Sequence, residues 1–191
     1  MHRYAYSLLA IFLSLFSITQ VDAAAIYATH IVVSAPPESG NIPENILGAP
    51  DGMTANFQGV QGTPGYCVVS FGGYRAIDGN GADIRIHLFG DWEYDEGFSI
   101  YASNDAMNFV LVGDSPTPPY TTPHEARTFD FDLANSGLTT ATYIRLTNAT
   151  EYSDRFEGPD LDAFELLHAI PEPTTAILLL AGTISVIARR R

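Results

Sequence analysis

Apolar and polar side chains alternate with a period of two residues in several short segments of this chain. Residues 84–88, for example, read Ile-Arg-Ile-His-Leu. Such alternation is typical of a β-strand with one buried face. The same pattern, or a weaker form of it, recurs in residues 28–34, 66–71, 98–102, 109–112, 129–133, 141–148 and 161–167. Glycine, proline, asparagine and aspartate separate the segments, and no sustained helical period is present. About eight short strands predict an all-β fold, an antiparallel jelly-roll β-sandwich.

The chain begins with the three parts of a secretory signal peptide. Arg3 supplies a basic head, residues 8–13 form an apolar run, and small residues follow at Ala23, Ala24 and Ala25. The apolar run is too short for a stable membrane span. We therefore predict that residues 1–25 are removed by signal peptidase. An uncleaved anchor or a buried core helix is the alternative.

The C-terminal end is a second hydrophobic segment. Residues 174–188 are almost entirely apolar, and the chain finishes with Arg189, Arg190 and Arg191. As a helix this segment would measure about 22 Å, which is shorter than the roughly 30 Å of hydrocarbon in a bilayer. The arginines would stay on the cytoplasmic side of the membrane. Residues 170–191 are thus predicted to be a membrane-entering tail, and residues 26–169 a domain outside the inner membrane.

The charge of the chain limits its partners. It has 22 acidic residues against nine basic ones, and its net charge is −13. A surface of this charge repels nucleic acids and anionic lipids, whereas it suits divalent cations and neutral partners. Cys67 is the single cysteine, so an internal disulfide is excluded. Its apolar neighbours predict a buried, unreactive thiol.

The order of features in the tail carries a resemblance. Pro171, Glu172 and Pro173 precede the apolar segment, and the three arginines follow it. This arrangement resembles the PEP-CTERM sorting signal. The resemblance implies that an exosortase, a transpeptidase-like enzyme of the membrane, reads the tripeptide, and that the protein is released or transferred to the cell surface. Because prolines break helices, they would present an extended peptide beside the membrane. An ordinary tail anchor is the alternative.

Four segments of the middle region carry a second resemblance. Residues 45–52 contain two apolar residues followed by a Gly-Ala-Pro-Asp-Gly turn. Residues 101–109 contain a Ser-x-Asp turn before an aromatic residue. Residues 141–146 and 158–166 have the patterns of two late strands. Together they resemble the discoidin-like, galactose-binding-like β-sandwich of surface and carbohydrate-binding modules. The resemblance implies the fold, and it is a poor guide to a particular ligand.

Calcium is the metal ion that the acids of the middle region suit, because it binds about six to eight hard oxygen atoms on flexible turns. The resemblance assigns Asp51, in the early loop, and Glu165, on the last strand, as ligands. Asp160 and Asp162 alternate on one strand, and Asp83 follows a glycine-rich turn. These three could join the same shell or form a second one. Solvated acids at turns and strand edges are the alternative.

Carbohydrate binding needs aromatic faces beside hydrogen-bonding groups. Trp92 and Tyr94 lie among four acids in a predicted loop, and Tyr152 and Arg155 lie in another. These four residues are the predicted sugar contacts. Packing of Trp92 in the core or at its rim is the alternative.

The sequence gives little support to catalysis. Its histidines lack metal-ligand spacing, and no Gly-x-Ser-x-Gly motif occurs. We therefore expect a non-enzymatic surface or matrix protein that binds calcium and exopolysaccharide. The alternatives are a structural matrix protein without a small ligand, and a polysaccharide hydrolase or lyase.

Overall fold

The computed structural model describes residues 25–35, 42–57, 63–93, 97–115, 121–148 and 158–172, and for residues 91–93 and 121–124 it describes the backbone. The predicted signal peptide, up to residue 24, and the predicted tail, from Pro173 onward, lie outside the described residues. Across the described ranges, no helix has the length and apolar character needed to cross a membrane.

Twelve β-strands and two short 3₁₀ helices form the described part of the chain. The strands are β1 (Ile26–Tyr27), β2 (His30–Ser34), β3 (Tyr66–Ser70), β4 (Tyr74–Ile77), β5 (Ile84–Glu93), β6 (Phe98–Ser103), β7 (Val110–Asp114), β8 (Thr121–Phe131), β9 (Thr140–Ala141), β10 (Tyr143–Asn148), β11 (Leu161–Leu166) and β12 (Ala169–Pro171). The 3₁₀ helices are Pro43–Ile46 and Leu133–Ser136.

The strands form two main sheets and one small sheet, and every described pairing between strands is antiparallel. The four-stranded sheet has the order β1-β11-β5-β8, and the five-stranded sheet has the order β2-β3-β10-β6-β7. A third sheet, β12-β4-β9, lies at one end. The core cluster includes buried side chains of both main sheets, as in the edge-to-face contact of Phe98 with Phe129 at 5.5 Å between ring centroids. The prediction of an all-β, antiparallel sandwich is confirmed.

The two-residue alternation of the sequence corresponds to the two faces of each sheet. In β10, Ile144, Leu146 and Asn148 are buried, whereas Tyr143, Arg145 and Thr147 are partly exposed. Each buried apolar side chain of this kind contributes roughly 1.5–3 kcal/mol when it is removed from water.

Strand β11 is different, because all six of its residues are buried. Part of the strand belongs to the core, and the loop of residues 47–55 lies along its edge: Ala55 pairs with Leu161, and the Asp51–Gly52 turn is bonded to Asp162. The long glycine-rich loop is therefore packed against the last large strand.

The register of the strands defines two ends of the sandwich. Ala25, the Phe71–Tyr74 turn and Glu172 lie at one end, which we call the terminal end, because both termini of the domain leave there. Gly65 and Asn148 lie at the other end, which we call the loop end. Strand β5 runs from the first to the second, and its residues 84–90 span about 20 Å.

Candidate functional site

The predicted sugar-binding residues belong to segments that are attached to the strands at the loop end. We expected Trp92 to lie in a loop, but its backbone pairs with Thr122, so it belongs to β5. Its side chain, and the residues Tyr94, Tyr152 and Arg155, lie outside the described residues. The segment that carries Tyr94 ends just before Phe98, and Phe98 is paired with Asn148, where the other segment begins. The two segments are therefore attached to neighbouring strand ends.

A compact set of hydrogen bonds forms the base of the loop end. The Asn148 side-chain amide donates to the carbonyl of Phe57 at 3.0 Å, and the Asn56 amide donates to the carbonyl of Gly158 at 2.7 Å. The backbone N–H of Asn148 donates to the carbonyl of Gly65 at 2.8 Å. Both asparagines are at least 90% buried. Sequence analysis did not identify these residues, since an asparagine in a loop carries no sign of its long-range partner.

Asp51 and Asp162, two of the predicted calcium ligands, lie together where the early loop contacts β11. The backbone N–H groups of Asp51 and Gly52 donate to the two carboxylate oxygens of Asp162 at 3.1 and 3.2 Å. Asp162 is 4% exposed. Asp51 itself is exposed and accepts the Met53 N–H at 2.9 Å. Carboxylate oxygens and the backbone carbonyl oxygens of a turn are the kinds of ligand that calcium prefers.

Glu165, which the resemblance assigned as a calcium ligand, lies beside a histidine. Its Oε2 lies 2.8 Å from His87 Nε2, and both side chains are largely buried on the outer face of the four-stranded sheet. Glu165 is also paired across the sheet with Tyr27 and Arg85. Burial, and next the charge of Glu165, raise the pKa of the Tyr27 hydroxyl. Arg85 forms a bidentate ion pair with Asp130, which raises the pKa of Arg85 and lowers the pKa of Asp130.

Asp160 and Asp83 lie in separate places. Asp160 packs against Gly90, where an added Cβ would overlap its carboxylate. Asp83 is fully buried near the terminal end, about 15 Å along β5 from Asp162, so the two cannot share one ion. Among the described residues, one group of three acids lies close enough to share a metal ion: Asp78, Asp83 and Asp132.

The carboxylate of Asp83 already has three hydrogen-bond partners. It accepts the N–H groups of Gly79 and Leu133, each at 2.9 Å, and lies 2.7 Å from His168 Nδ1. An anion with such partners is stable without a metal ion. These contacts are sufficient to explain why this carboxylate is buried.

The hairpin of residues 101–109 and β10 are joined by an arginine between two aromatic rings. The guanidinium carbon of Arg145 lies 4.3 Å from the centroid of Tyr101 and 4.6 Å from that of Phe109. Cation–π contacts of this kind are favourable by roughly 0.5–2 kcal/mol. The segments that resemble a discoidin-like hairpin and a late strand therefore contact each other through these three residues.

Asp105 closes the same hairpin. Hydrogen bonds from the backbone and side chain of Asn108, then from the N–H of Met107 and the hydroxyl of Ser103, lower the pKa of the Asp105 carboxyl. The pKa of Asp105 is lower in the folded state than in the unfolded state. Asp105 therefore stabilises the fold above pH 3.8, its unfolded value, and this stabilisation is lost as the pH falls further.

We expect acid to destabilise the domain partly through this residue. In urea unfolding between about pH 5 and pH 2, Asp105→Asn should reduce the dependence of the unfolding free energy on pH. Glu44→Gln, a change at an exposed acid, should leave that dependence as it is in the wild type. An unchanged pH dependence in Asp105→Asn would show that the turn bonds do not contribute.

Cys67 is fully buried in β3, and burial raises the pKa of its thiol. A thiol with a raised pKa is a weak nucleophile. Cys67 therefore belongs to the core.

Solved structures share this sandwich at low sequence identity. CpGH89CBM32-4 of Clostridium perfringens, solved with GlcNAc-α-1,4-galactose, aligns with a TM-score of 0.50 and 12% identity over 78% of this chain and 99% of that one. Reduced XRCC1, bound to the catalytic domain of DNA polymerase β, aligns with a TM-score of 0.50 and 13% identity over 75% and 97% of the two chains. A family 89 glycoside hydrolase of Clostridium perfringens aligns with a TM-score of 0.50 and 14% identity over 78% of this chain and 15% of that enzyme.

No protein-family profile matches the chain, and no curated protein sequence matches it. At identities of 12–14% the comparisons establish the fold. The described domain shares the β-sandwich fold of these structures. Of the neighbours above, one is bound to a sugar and another to a protein, so the fold does not select between these two kinds of ligand.

Proposed function

We propose that this chain is an exported, non-catalytic surface or matrix protein whose sandwich binds a carbohydrate at its loop end. The observation that carries the proposal is the match to CpGH89CBM32-4, a sugar-bound domain, along 99% of that domain's length. The position of the domain boundaries also supports it, because Ala25 and Glu172 both lie at the terminal end, opposite the loop end. The strongly acidic composition favours a neutral or cationic glycan.

Glycan binding is tested with the domain freed of its terminal hydrophobic segments. We expect it to bind on a glycan array, and Trp92→Ala to weaken that binding about tenfold through the loss of ring stacking. Tyr74→Ala is the matched control, since Tyr74 is an exposed tyrosine at the terminal end. The control should bind as the wild type does. A folded domain that binds no glycan would contradict the proposal and favour the second candidate, a structural protein that binds another protein as XRCC1 does.

Calcium is the second part of the proposal. We propose an ion at the Asp51–Asp162 turn, where the backbone of the Asp51–Gly52 turn contacts the buried carboxylate of Asp162. In this position it would reduce the repulsion between the acids and hold the loop on β11.

Saturating calcium should therefore raise the melting temperature of the domain by several degrees relative to chelator, since a ligand that binds at 100 times its Kd adds about 2.7 kcal/mol. Asp51→Asn should abolish the shift, and Asp78→Asn should preserve it. If Asp78→Asn abolishes the shift instead, the ion lies between Asp78, Asp83 and Asp132. No shift in the wild type would exclude calcium at both places.

The tail is the third part. We propose that signal peptidase removes residues 1–25, and that an exosortase reads Pro171, Glu172 and Pro173 while the apolar segment and Arg189–Arg191 hold the precursor in the membrane. The mature protein would then lie at the cell surface or in the extracellular matrix.

A further inference from the structure

The first two residues of the proposed sorting tripeptide are part of the folded domain. Pro171 is the last residue of β12 and is paired with Tyr74. The N–H of Glu172 donates to the carbonyl of Gly73 at 2.7 Å. We call residues 169–172 the strap, because they are attached to the edge of β4 by backbone hydrogen bonds.

The residue before the strap is fixed as well. The carbonyl of His168 accepts the N–H of Ile77 at 3.1 Å, and its ring nitrogen lies 2.7 Å from the buried carboxylate of Asp83. The carbonyl of Asp83 accepts the N–H of Leu167 at 2.8 Å. The strap therefore begins at a rigid point, and it can be released by separation of residues 169–172 from β4 while the main sheets stay intact.

An enzyme that cleaves or transfers a peptide binds it in an extended form, with its backbone groups paired to the enzyme. The backbone of Glu172 cannot pair with an enzyme while it is bonded to Gly73. Pairing at the end of the strap is also weak, because Pro171 has no N–H to donate. Short edge strands of this kind open at a small fraction of the global unfolding free energy.

We propose that separation of the strap from β4 is the step that makes the tripeptide available to its processing enzyme. This inference rests on the proposed function of the tail. When opening and closing are fast, the rate of cleavage follows the population of the open form. The folded domain would then slow the processing of its own tail, and the contact between the strap and β4 would set the rate.

The test uses the full chain in a bacterium that has an exosortase. One variant carries Gly-Ser-Gly-Ser between Ile170 and Pro171, which frees the tripeptide and keeps its distance from the apolar segment. The matched variant carries the same four residues between Pro173 and Thr174, which lengthens the connection to the membrane and keeps the strap in place. Pulse-chase labelling and mass spectrometry measure the rate at which the shortened chain forms.

We expect the first variant to be processed about tenfold faster than the wild type or more, because an open fraction below about 10% then rises to nearly all molecules. The second variant should not be accelerated. Equal rates in the wild type and the first variant, or equal acceleration in both variants, would overturn the inference. If none of the chains is processed, the proposed function of the tail fails. Hydrogen exchange at the Glu172 amide of the wild type tests the strap independently of processing. Fast exchange would show that the strap is already open without any enzyme, and it would overturn the inference whether or not the tail is processed.

Discussion

Replacement of Asp83 by alanine is expected to lower the free energy of unfolding by about 4 kcal/mol, a large part of the stability of a domain of this size. The Asp83 side chain is fully buried and joins three distant parts of the terminal end: the turn at Gly79, the 3₁₀ helix at Leu133 and the root of the strap at His168. Alanine would leave the buried N–H of Leu133 without an acceptor, which costs about 1–3 kcal/mol, and would also remove the hydrogen-bond partner of the Gly79 N–H and of the His168 ring.

Urea unfolding in the presence of chelator measures this effect without a contribution from a metal ion. Asp78→Ala is the control, since Asp78 is an exposed neighbour of Asp83, and it should change the stability by less than about 0.5 kcal/mol. Asp83→Asn should lie between the two, because an amide oxygen can still accept one of the N–H groups. Similar stabilities for Asp83→Ala and Asp78→Ala would contradict the structural role of this carboxylate.

The strands were predictable from the sequence because their signal is local. The alternation of residues 84–88 and 141–148 reflects burial on one face, which any antiparallel sandwich imposes on its strands. β4 (Tyr74–Ile77) and β12 (Ala169–Pro171) were not predicted. They are short and form a small separate sheet, so their sequences carry too few alternating positions to be recognised.

The contacts of the acids were less predictable, because each depends on a partner far along the chain. The sequence left open whether Asp162 shares an ion with Asp51 or belongs to a second site. In the structure, the Asp162 carboxylate accepts the N–H of Asp51, which lies 111 positions away in the sequence. Glu165 was assigned by resemblance as a ligand, and its carboxylate contacts His87, which the sequence did not connect with it. The type of residue predicts that it needs a partner, whereas the register of the sheets decides which partner it receives.

A second large effect is expected at Gly65, at the base of the loop end. An alanine Cβ at this position would overlap the carbonyl oxygen of Phe57 and come within 2.9 Å of the Asn148 side-chain nitrogen. The backbone at Phe57 would have to move, and its hydrogen bond from Asn148 would be lost. Overpacking of about 1–3 kcal/mol and one lost hydrogen bond together predict a loss of about 3 kcal/mol. The melting temperature should fall by about 10 °C.

Gly81→Ala is the control for the general effect of replacing a glycine. Gly81 has φ +93° and open space around its Cα, so alanine there meets backbone strain of about 1 kcal/mol and no overlap. A Gly65→Ala domain as stable as the Gly81→Ala domain would contradict the close packing at the loop end. Because Asn148 adjoins the segments that carry the predicted sugar contacts, Gly65→Ala should also weaken glycan binding below its own melting temperature, whereas Gly81→Ala should not. A loss of stability without a loss of affinity would show that the base of the loop end supports the fold and does not position the ligand-binding residues.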